Sequence, residues 1–302
     1  MVPRVGFEPT TKRIEAVYSN PLSYRGVTTF YHDCATLDVM IGEDIPKRFL
    51  PAVLRELCEE RGATLESFSE DWIIRMEQNT RAHWVVGYTF DINGASAVML
   101  ARDKVGTYTA LAHTKIPAVE HYLARSRAEP NVNKQRLHTL PGNVPYVAKP
   151  LLGSSGKYIT RFDTLAGAVD HINLSNEPEW AISPWYDFRS ERRVILLDSE
   201  VLLSYEKTEP TIENGLRFFN LARGAMPNIS DPTPKELDLA RRAMQTCSLR
   251  LAAVDIVTDT NSVQRVMEIN DGISLEHFTE LSPENHVMAK KIYQKILDAI
   301  FA

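Results

Sequence analysis

YVAKPLLGSSGKYI, residues 146–159, sets Lys149 and Pro150 ahead of two glycines and two serines, at the junction of two apolar runs. Residues 144–151 alternate and are rich in strand formers, and residues 157–162 resume an extended pattern, so GSSG reads as the turn of a hairpin. A glycine-rich turn presents bare backbone N–H groups, and successive amides can form a concavity for phosphate oxygens. Most glycine-serine turns are only turns. The choice rests on whether the remaining sequence supplies what a nucleotide needs.

The 302 residues suggest one large domain or two to three small ones, and 44% hydrophobic with 24% charged residues is an ordinary globular composition. A formal charge of −5 without a basic run argues against a dedicated nucleic-acid surface. No stretch approaches the length of a membrane-spanning helix and the start has no secretory apolar core, so no membrane role is expected. Cys34, Cys58 and Cys247 lack metal-ligand spacing; Cys58 and Cys247 fall on apolar helix positions and read as buried thiols. A reducing cytoplasm is the expected location.

Residues 1–39 carry prolines at 3, 9 and 21 with no sustained periodicity. The first 26 of them resemble the peptide read when a frame runs through a transfer-RNA gene, which makes Met40 a candidate start and 1–39 a candidate non-native extension; the alternative is a genuine irregular arm. From Pro46 the spacing of Phe49, Leu50, Val53, Leu54, Leu57 and Cys58 predicts a helix closed by Gly62. TLESFS follows as a strand, a polar helix is expected over 70–79, and HWVVGYTF as a strand, giving a small open α/β unit. Residues 95–101 are then helical, and Asp103 caps a helix that starts at Lys104 and stops before Pro117. A lysine in a first helical turn opposes the helix dipole, which hints at a task outside the helix; the alternative is a solvated lysine. Downstream come a hairpin turning at Asp198-Ser199, a loop NLARG, and a helix announced by the capping box of Thr233 and Glu236, with Leu237, Ala240, Met244 and Cys247 as its stripe. Two strands and a last helix with Met288, Ile292, Ile296 and Ile300 inward complete the chain.

The last hairpin, LAAVDIVTD and SVQRVMEIN, holds the densest chemistry. Glu268 and Asn270 share a strand face, and pairing about Asn261 brings Asp255 opposite or diagonal to Glu268. Oxygen donors in otherwise apolar strands need a compensating cation, and carboxylates without His or Cys suit a hard ion such as Mg²⁺, with Mn²⁺ as the alternative. The bland reading is a solvated strand face carrying ordinary acids.

Lys104 after Asp103, then YVAKPLLGSSGK, ERRV, NLARG, AVDIV and VMEIND occur in the order and approximate spacing of the ATP-grasp superfamily, and the chain resembles its RimK-like and glutathione-synthetase-like carboxylate–amine ligases over about residues 84–280. The resemblance implies an α/β (α+β) ATP-grasp fold: an N-terminal α/β domain over 40–113, a central lid over 114–182 and a C-terminal domain over 183–302, with ATP between the last two. It places Lys104 and Lys149 on the ATP phosphates, Gly153, Ser154, Ser155 and Gly156 over the β and γ groups, the backbone of Ile182, Ser183, Pro184 and Trp185 on the adenine edge, and Asp187 on the ribose. Arg193, Asn220 and Arg223 face the γ-phosphate or a substrate carboxylate, and Asp255, Glu268 and Asn270 match the magnesium ligands.

The implied activity is an ATP-dependent carboxylate–amine ligase that forms an amide through an acylphosphate, with Glu276 and His277 as candidate bases. Small-molecule acids and amines, amino acids or peptides, are the implied partners, with neither nucleic acid nor membrane, and a homo-oligomer is compatible. An ATP-grasp kinase and a non-catalytic nucleotide-binding module are the alternatives. Two departures bear on the substrate: Tyr158 follows the loop where a small residue is common, and DGISLEHF stands after Asn270 where many ligases carry Pro-Gly.

Overall fold

The computed structural model describes residues 48–128, 132–153 and 156–302. The expectations for residues 1–39 and for Ser154 and Ser155 lie outside the described residues. Helix α1 (Phe49–Arg61) buries Leu50, Val53, Leu54, Leu57 and Cys58, and Gly62 leaves it at φ +67°, a left-handed step that glycine takes without a Cβ clash. Strands β1 (Thr64–Phe68), β2 (Ile73–Gln78), β3 (Arg81–Val86) and β4 (Thr89–Phe90) then form an antiparallel sheet in chain order.

This meander corrects two expectations. Residues 70–79 hold no helix: Ile74 and Met76 of β2 are fully buried with less buried residues between them, a period of two. Ser69, Glu70 and Asp71 before the strand, and Asn79 and Thr80 after it, have positive φ and make tight turns. HWVVGYTF is also not one strand, because Gly87 turns the chain at φ +62°; a Cβ there would lie 2.8 Å from the Trp72 ring. The N-terminal part is therefore a helix on an antiparallel meander, in place of the expected open α/β unit.

Helices α2 (Ala95–Arg102) and α3 (Lys104–His113) follow, and the Asp103 side chain accepts from the Gly106 N–H at 2.8 Å to cap α3. Next, β5 (Tyr122–Arg125), α4 (Val132–Arg136), β6 (Tyr146–Pro150), β7 (Thr160–Phe162), α5 (Leu165–Leu174) and β8 (Glu179–Pro184) build a sheet of order β5-β8-β6-β7. The glycine-serine stretch does join the paired strands β6 and β7. Tyr146, Ala148, Ile182 and Trp180 enter the core under α5, so Lys149 and Ser183 point from the opposite face.

The largest sheet has the order β13-β10-β9-β14-β15, every neighbour antiparallel. Its strands are β9 (Phe188–Leu197), β10 (Glu200–Thr208), β13 (Met226–Ile229), β14 (Leu251–Asp259) and β15 (Gln264–Asn270), with the small pair β11 (Thr211–Glu213) and β12 (Leu216–Phe218) inserted between β10 and β13. Val194, Leu196, Ala252, Val254 and Ile256 pack under α2, α3 and α6 (Pro234–Thr246). Ile195, Leu197, Leu203, Leu251 and Ala253 share a core with α1, the meander and α8 (Pro283–Phe301). One pleat beyond Ile195 and Ala253 this second face changes from apolar to charged, at Arg193 and Asp255. Among the described residues no helix is long and apolar enough to cross a membrane.

Because Asp103 fixes the first turn of α3, Asp103→Ala is expected to lower the unfolding free energy by about 1 kcal/mol in urea denaturation. No change in the urea midpoint would mean that the cap adds nothing.

Candidate active site

Tyr205, Arg193, Asp255 and Glu268 stand in one register row across β10, β9, β14 and β15, with Lys207 opposite Glu191 in the next row on the same face. Asp255 pairs with Glu268 and Ile256 with Val266, so Met267 is the extra residue of a bulge beside Glu268. Asp255 is 1% exposed. The Arg193 guanidinium bonds both its oxygens, Nε to Oδ1 at 2.8 Å and the terminal nitrogen to Oδ2 at 2.6 Å, and Lys207 Nζ lies 3.3 Å from Oδ1 while also bonding Glu191. Burial alone would raise the pKa of Asp255, but Arg193 and Lys207 overcome it and hold the carboxyl below its ordinary range. Glu191 moves the other way, raised by burial against the pull of Lys207.

The sequence argument that a buried acid here needs a cation is thus met first by the protein itself. Three contacts occupy three of the roughly four lone-pair sites of Asp255. Glu268 makes no ion pair among the described residues and accepts only from Asn270 Nδ2, at 3.3 Å. The donor set fits a hard cation, with Glu268 and Asn270 as its open members and Asp255 as a largely engaged one. Lys207 and Glu191 were missed by the sequence reading; the signal was two charges at the inward positions of strands that are otherwise apolar, in SERRVILL and LLSYEKT.

Two further lysines converge from separate elements. Lys104, at the first position of α3, donates to the Leu151 carbonyl at 3.1 Å and to that of Gly153, which fastens α3 to the glycine turn. Lys149 is 7% exposed, and its Nζ has Met267 Sδ at 3.9 Å. Neither lysine pairs with a carboxylate among the described residues. Burial lowers both, Lys149 to about 8, with Glu268 opposing the shift from farther away. Glu268 and Glu191 act on Lys149, and Glu268 and Asp103 on Lys104, only through space, so neither lysine has a direct ion pair in the cleft among the described residues.

The other expected site residues divide. Arg223 donates to the Gly156 carbonyl at 3.2 Å and to Glu213 at 3.0 Å, and its guanidinium lies 4.4 Å from the Phe218 ring centre, so it ties the loop after β12 to the glycine turn. The Asn220 side chain caps a short 3-10 turn by accepting from Ala222 N–H at 2.9 Å. Asp187 is paired with Arg217. The Trp185 N–H donates to the Pro145 carbonyl at 2.8 Å, and the Arg161 guanidinium covers its ring at 4.5 Å. Ile182, Ser183 and Pro184 are buried at the end of β8, where β5 stops at Tyr122 and leaves the β5 side of Ser183 and Pro184 without a strand partner.

The segment after Asn270 serves the fold. Asp271, 4% exposed, accepts from Arg102 at 3.0 Å on each oxygen and from the Thr89 hydroxyl at 2.8 Å, and the Ile273 N–H donates to the Tyr88 carbonyl. In helix α7 (Glu276–Thr279), one of the two candidate bases, Glu276, is corrected. Glu276 is buried, and its oxygens accept the Phe49 and Leu50 N–H groups at the start of α1; His277 is half-exposed and meets Glu280 at 3.1 Å. A carboxylate that accepts two N–H donors at a helix start is a cap.

Comparison with known proteins gives one family: a model of the RimK-like ATP-grasp domain matches residues 101–296. A probable alpha-L-glutamate ligase of Citrobacter koseri is 28% identical over 192 residues, covering 62% of this chain and 61% of that protein. One from Legionella pneumophila strain Corby is 26% identical over 211 residues, 68% of this chain and 67% of that protein. The chain thus spans about 61% of the length of the Citrobacter relative. In fold it is similar to the crystal structure of a D-cycloserine synthetase, DcsG, with a TM-score of 0.54, 17% identity, and coverage of 68% of this chain and 73% of that one.

Two outcomes test these assignments. Glu276→Ala is expected to destabilise the protein by about 2 kcal/mol in urea denaturation while leaving nucleotide affinity unchanged; unaltered stability would remove the cap. For Lys149 the folded value of about 8 lies below the ordinary 10.5. Between those two pH values the unfolded chain binds more protons, so unfolding free energy rises with pH there, and below 8 the full penalty, up to about 3 kcal/mol, persists. Lys149→Met should therefore raise the stability of the nucleotide-free protein at pH 7 and flatten that rise; a less stable variant with the slope intact contradicts the assignment.

Proposed function

As a member of the RimK-like ATP-grasp family, the chain is, we propose, an ATP-dependent carboxylate–amine ligase. The observation that carries the reading is the pair of a buried Lys149 and a half-buried Lys104, two ammonium groups without ion-pair partners among the described residues, converging beside the glycine turn and the open Glu268–Asn270 pair. A polyphosphate supplies the missing negative charge. The names of the relatives make L-glutamate the first substrate to test, as acid or as amine.

In this reading Lys104 and Lys149 hold phosphate oxygens, and the amides around Gly153 and Gly156 close over them. Glu268 and Asn270, with the remaining lone pair of Asp255, would hold Mg²⁺, which when bound offsets charge on the phosphates. Arg193 and Lys207 keep positive charge on the sheet face under the reacting groups, fixed in place by Asp255 and Glu191 before any ligand enters, so little reorganisation is needed. A substrate carboxylate oxygen attacks the γ-phosphorus, the bond to the bridging oxygen breaks, and ADP leaves with that electron pair. The amine nitrogen then attacks the acylphosphate carbonyl, phosphate leaves, and the nitrogen loses its proton to solvent as the amide forms. Arg223, bonded to Gly156, links the loop after β12 to the turn that shields the acylphosphate from water.

With acid and amine both present, ADP and phosphate should appear in equal amounts; with acid alone, hydroxylamine should trap a hydroxamate. AMP with pyrophosphate, or a stable phosphoester formed without amine, rejects the ligase mechanism. Glu268→Gln, which keeps shape and loses charge, should reduce turnover at least a hundredfold at saturating Mg²⁺ with the melting temperature unchanged; wild-type turnover would take Glu268 out of the ligand set.

A further inference from the structure

His121 is 3% exposed and takes part in none of the functions assigned above. It immediately precedes β5, whose first residue, Tyr122, pairs with Ile182. Continuing that register sets His121 beside Ser183, on the face of the lid sheet that carries Lys149 and lies opposite the α5 core. It lines a small cavity between α3, residues 118–121 and β15, whose other walls include Ala118, Val119, Val266 and Met267, with Lys104 at one side. One ring nitrogen bonds the Val119 backbone, and the other, Nε2, is buried with no hydrogen-bond partner among the described residues.

This combination has a definite chemistry. Bonding to the Val119 carbonyl places the ring proton on Nδ1, so Nε2 carries a lone pair. Burial, with Lys149 and Lys104 nearby, keeps the imidazole neutral, well below its ordinary range. The cavity is also lined by Thr107, Tyr108 and Glu268, and none of their groups bonds Nε2; a buried acceptor is unfavourable unless a donor reaches it. Neither lysine is within hydrogen-bond distance, since Nε2 has no partner.

We propose that His121 selects the nucleobase: its Nε2 accepts the exocyclic amino group of adenine between the lid and Met267. The proposal deepens the ATP reading above and rests on it. Guanine and hypoxanthine carry a carbonyl oxygen at that position, so two acceptors would face each other in a dry site. A purine with only hydrogen there would leave Nε2 unpaired. Sites that hydrogen-bond a substrate N–H reject analogues lacking it more strongly than apolar pockets reject a change of size.

The test measures binding by calorimetry on the full chain, with Mg²⁺ and no acid or amine, for ATP, GTP and purine riboside triphosphate. Wild type is expected to bind ATP at least tenfold more tightly than either analogue. In His121→Phe that ratio should fall below twofold, through weaker ATP binding with the analogues little changed. His121→Leu, also without an acceptor, replaces the phenylalanine variant if the latter loses its cooperative melt. A histidine with only a structural role would weaken all three nucleotides alike. Equal losses, a preserved ratio, or a wild type indifferent to the 6-substituent each overturn the proposal. A wild type that binds none of the three also overturns the ATP reading itself, which separates the two failures.

Discussion

Asp255 lies in the middle of β14, between β9 and β15, where water cannot reach it. An isolated carboxylate there would be too unfavourable to keep its charge. It remains ionised because the strand register sets Arg193 directly across from it, in two-pronged contact with both oxygens, and brings Lys207 in diagonally. Removing either partner of such a buried pair typically costs more than the pair contributes, so the register of β9 against β14 and the charge of the cleft depend on each other. The bulge at Met267 then tilts Glu268 and Asn270 relative to this fixed pair.

That pair sets the electrostatics of the cleft. Arg193 and Lys207 are paired with Asp255 and Glu191, whereas Lys104 and Lys149 have no direct ion pair among the described residues and meet carboxylates only through space. These two come from different parts of the chain, one from the start of a helix packed on the large sheet and one from β6 of the smaller sheet. The Lys104 contacts with Leu151 and Gly153 already join the start of α3 to the turn after β6. Burial of Lys149 lowers its pKa to about 8 and lowers stability locally, an arrangement common at functional centres.

Buried carboxylates elsewhere in the chain have structural tasks. Glu276 caps α1, and Asp271 joins α2, the meander and the end of β15. Both lie within a few residues of Asn270, and the difference between them and Glu268 is only what each side chain meets. A carboxylate bonded to helix N–H groups is satisfied; one bonded to a single amide remains open to a ligand.

The sequence by itself determined the elements whose signals are local. The capping residues Asp103 and Thr233, the Asp198-Ser199 turn, the glycine-serine hairpin and the pairing of Asp255 with Glu268 were all legible, because capping, turn chemistry and hairpin register act over a few residues. Residues 70–79 were misread because a short polar segment with two inward residues fits either period, and burial against α1 and α8 decides between them. Only the tertiary structure distinguished the roles of acids and bases of the same kind: Glu276 as a cap, Asp187 held by Arg217, Lys207 and Glu191 as a buried pair, His121 as an unpaired acceptor. The physical reason is that a titratable group takes its character from the charges and dipoles within a few ångströms, and here those belong to residues distant in the chain.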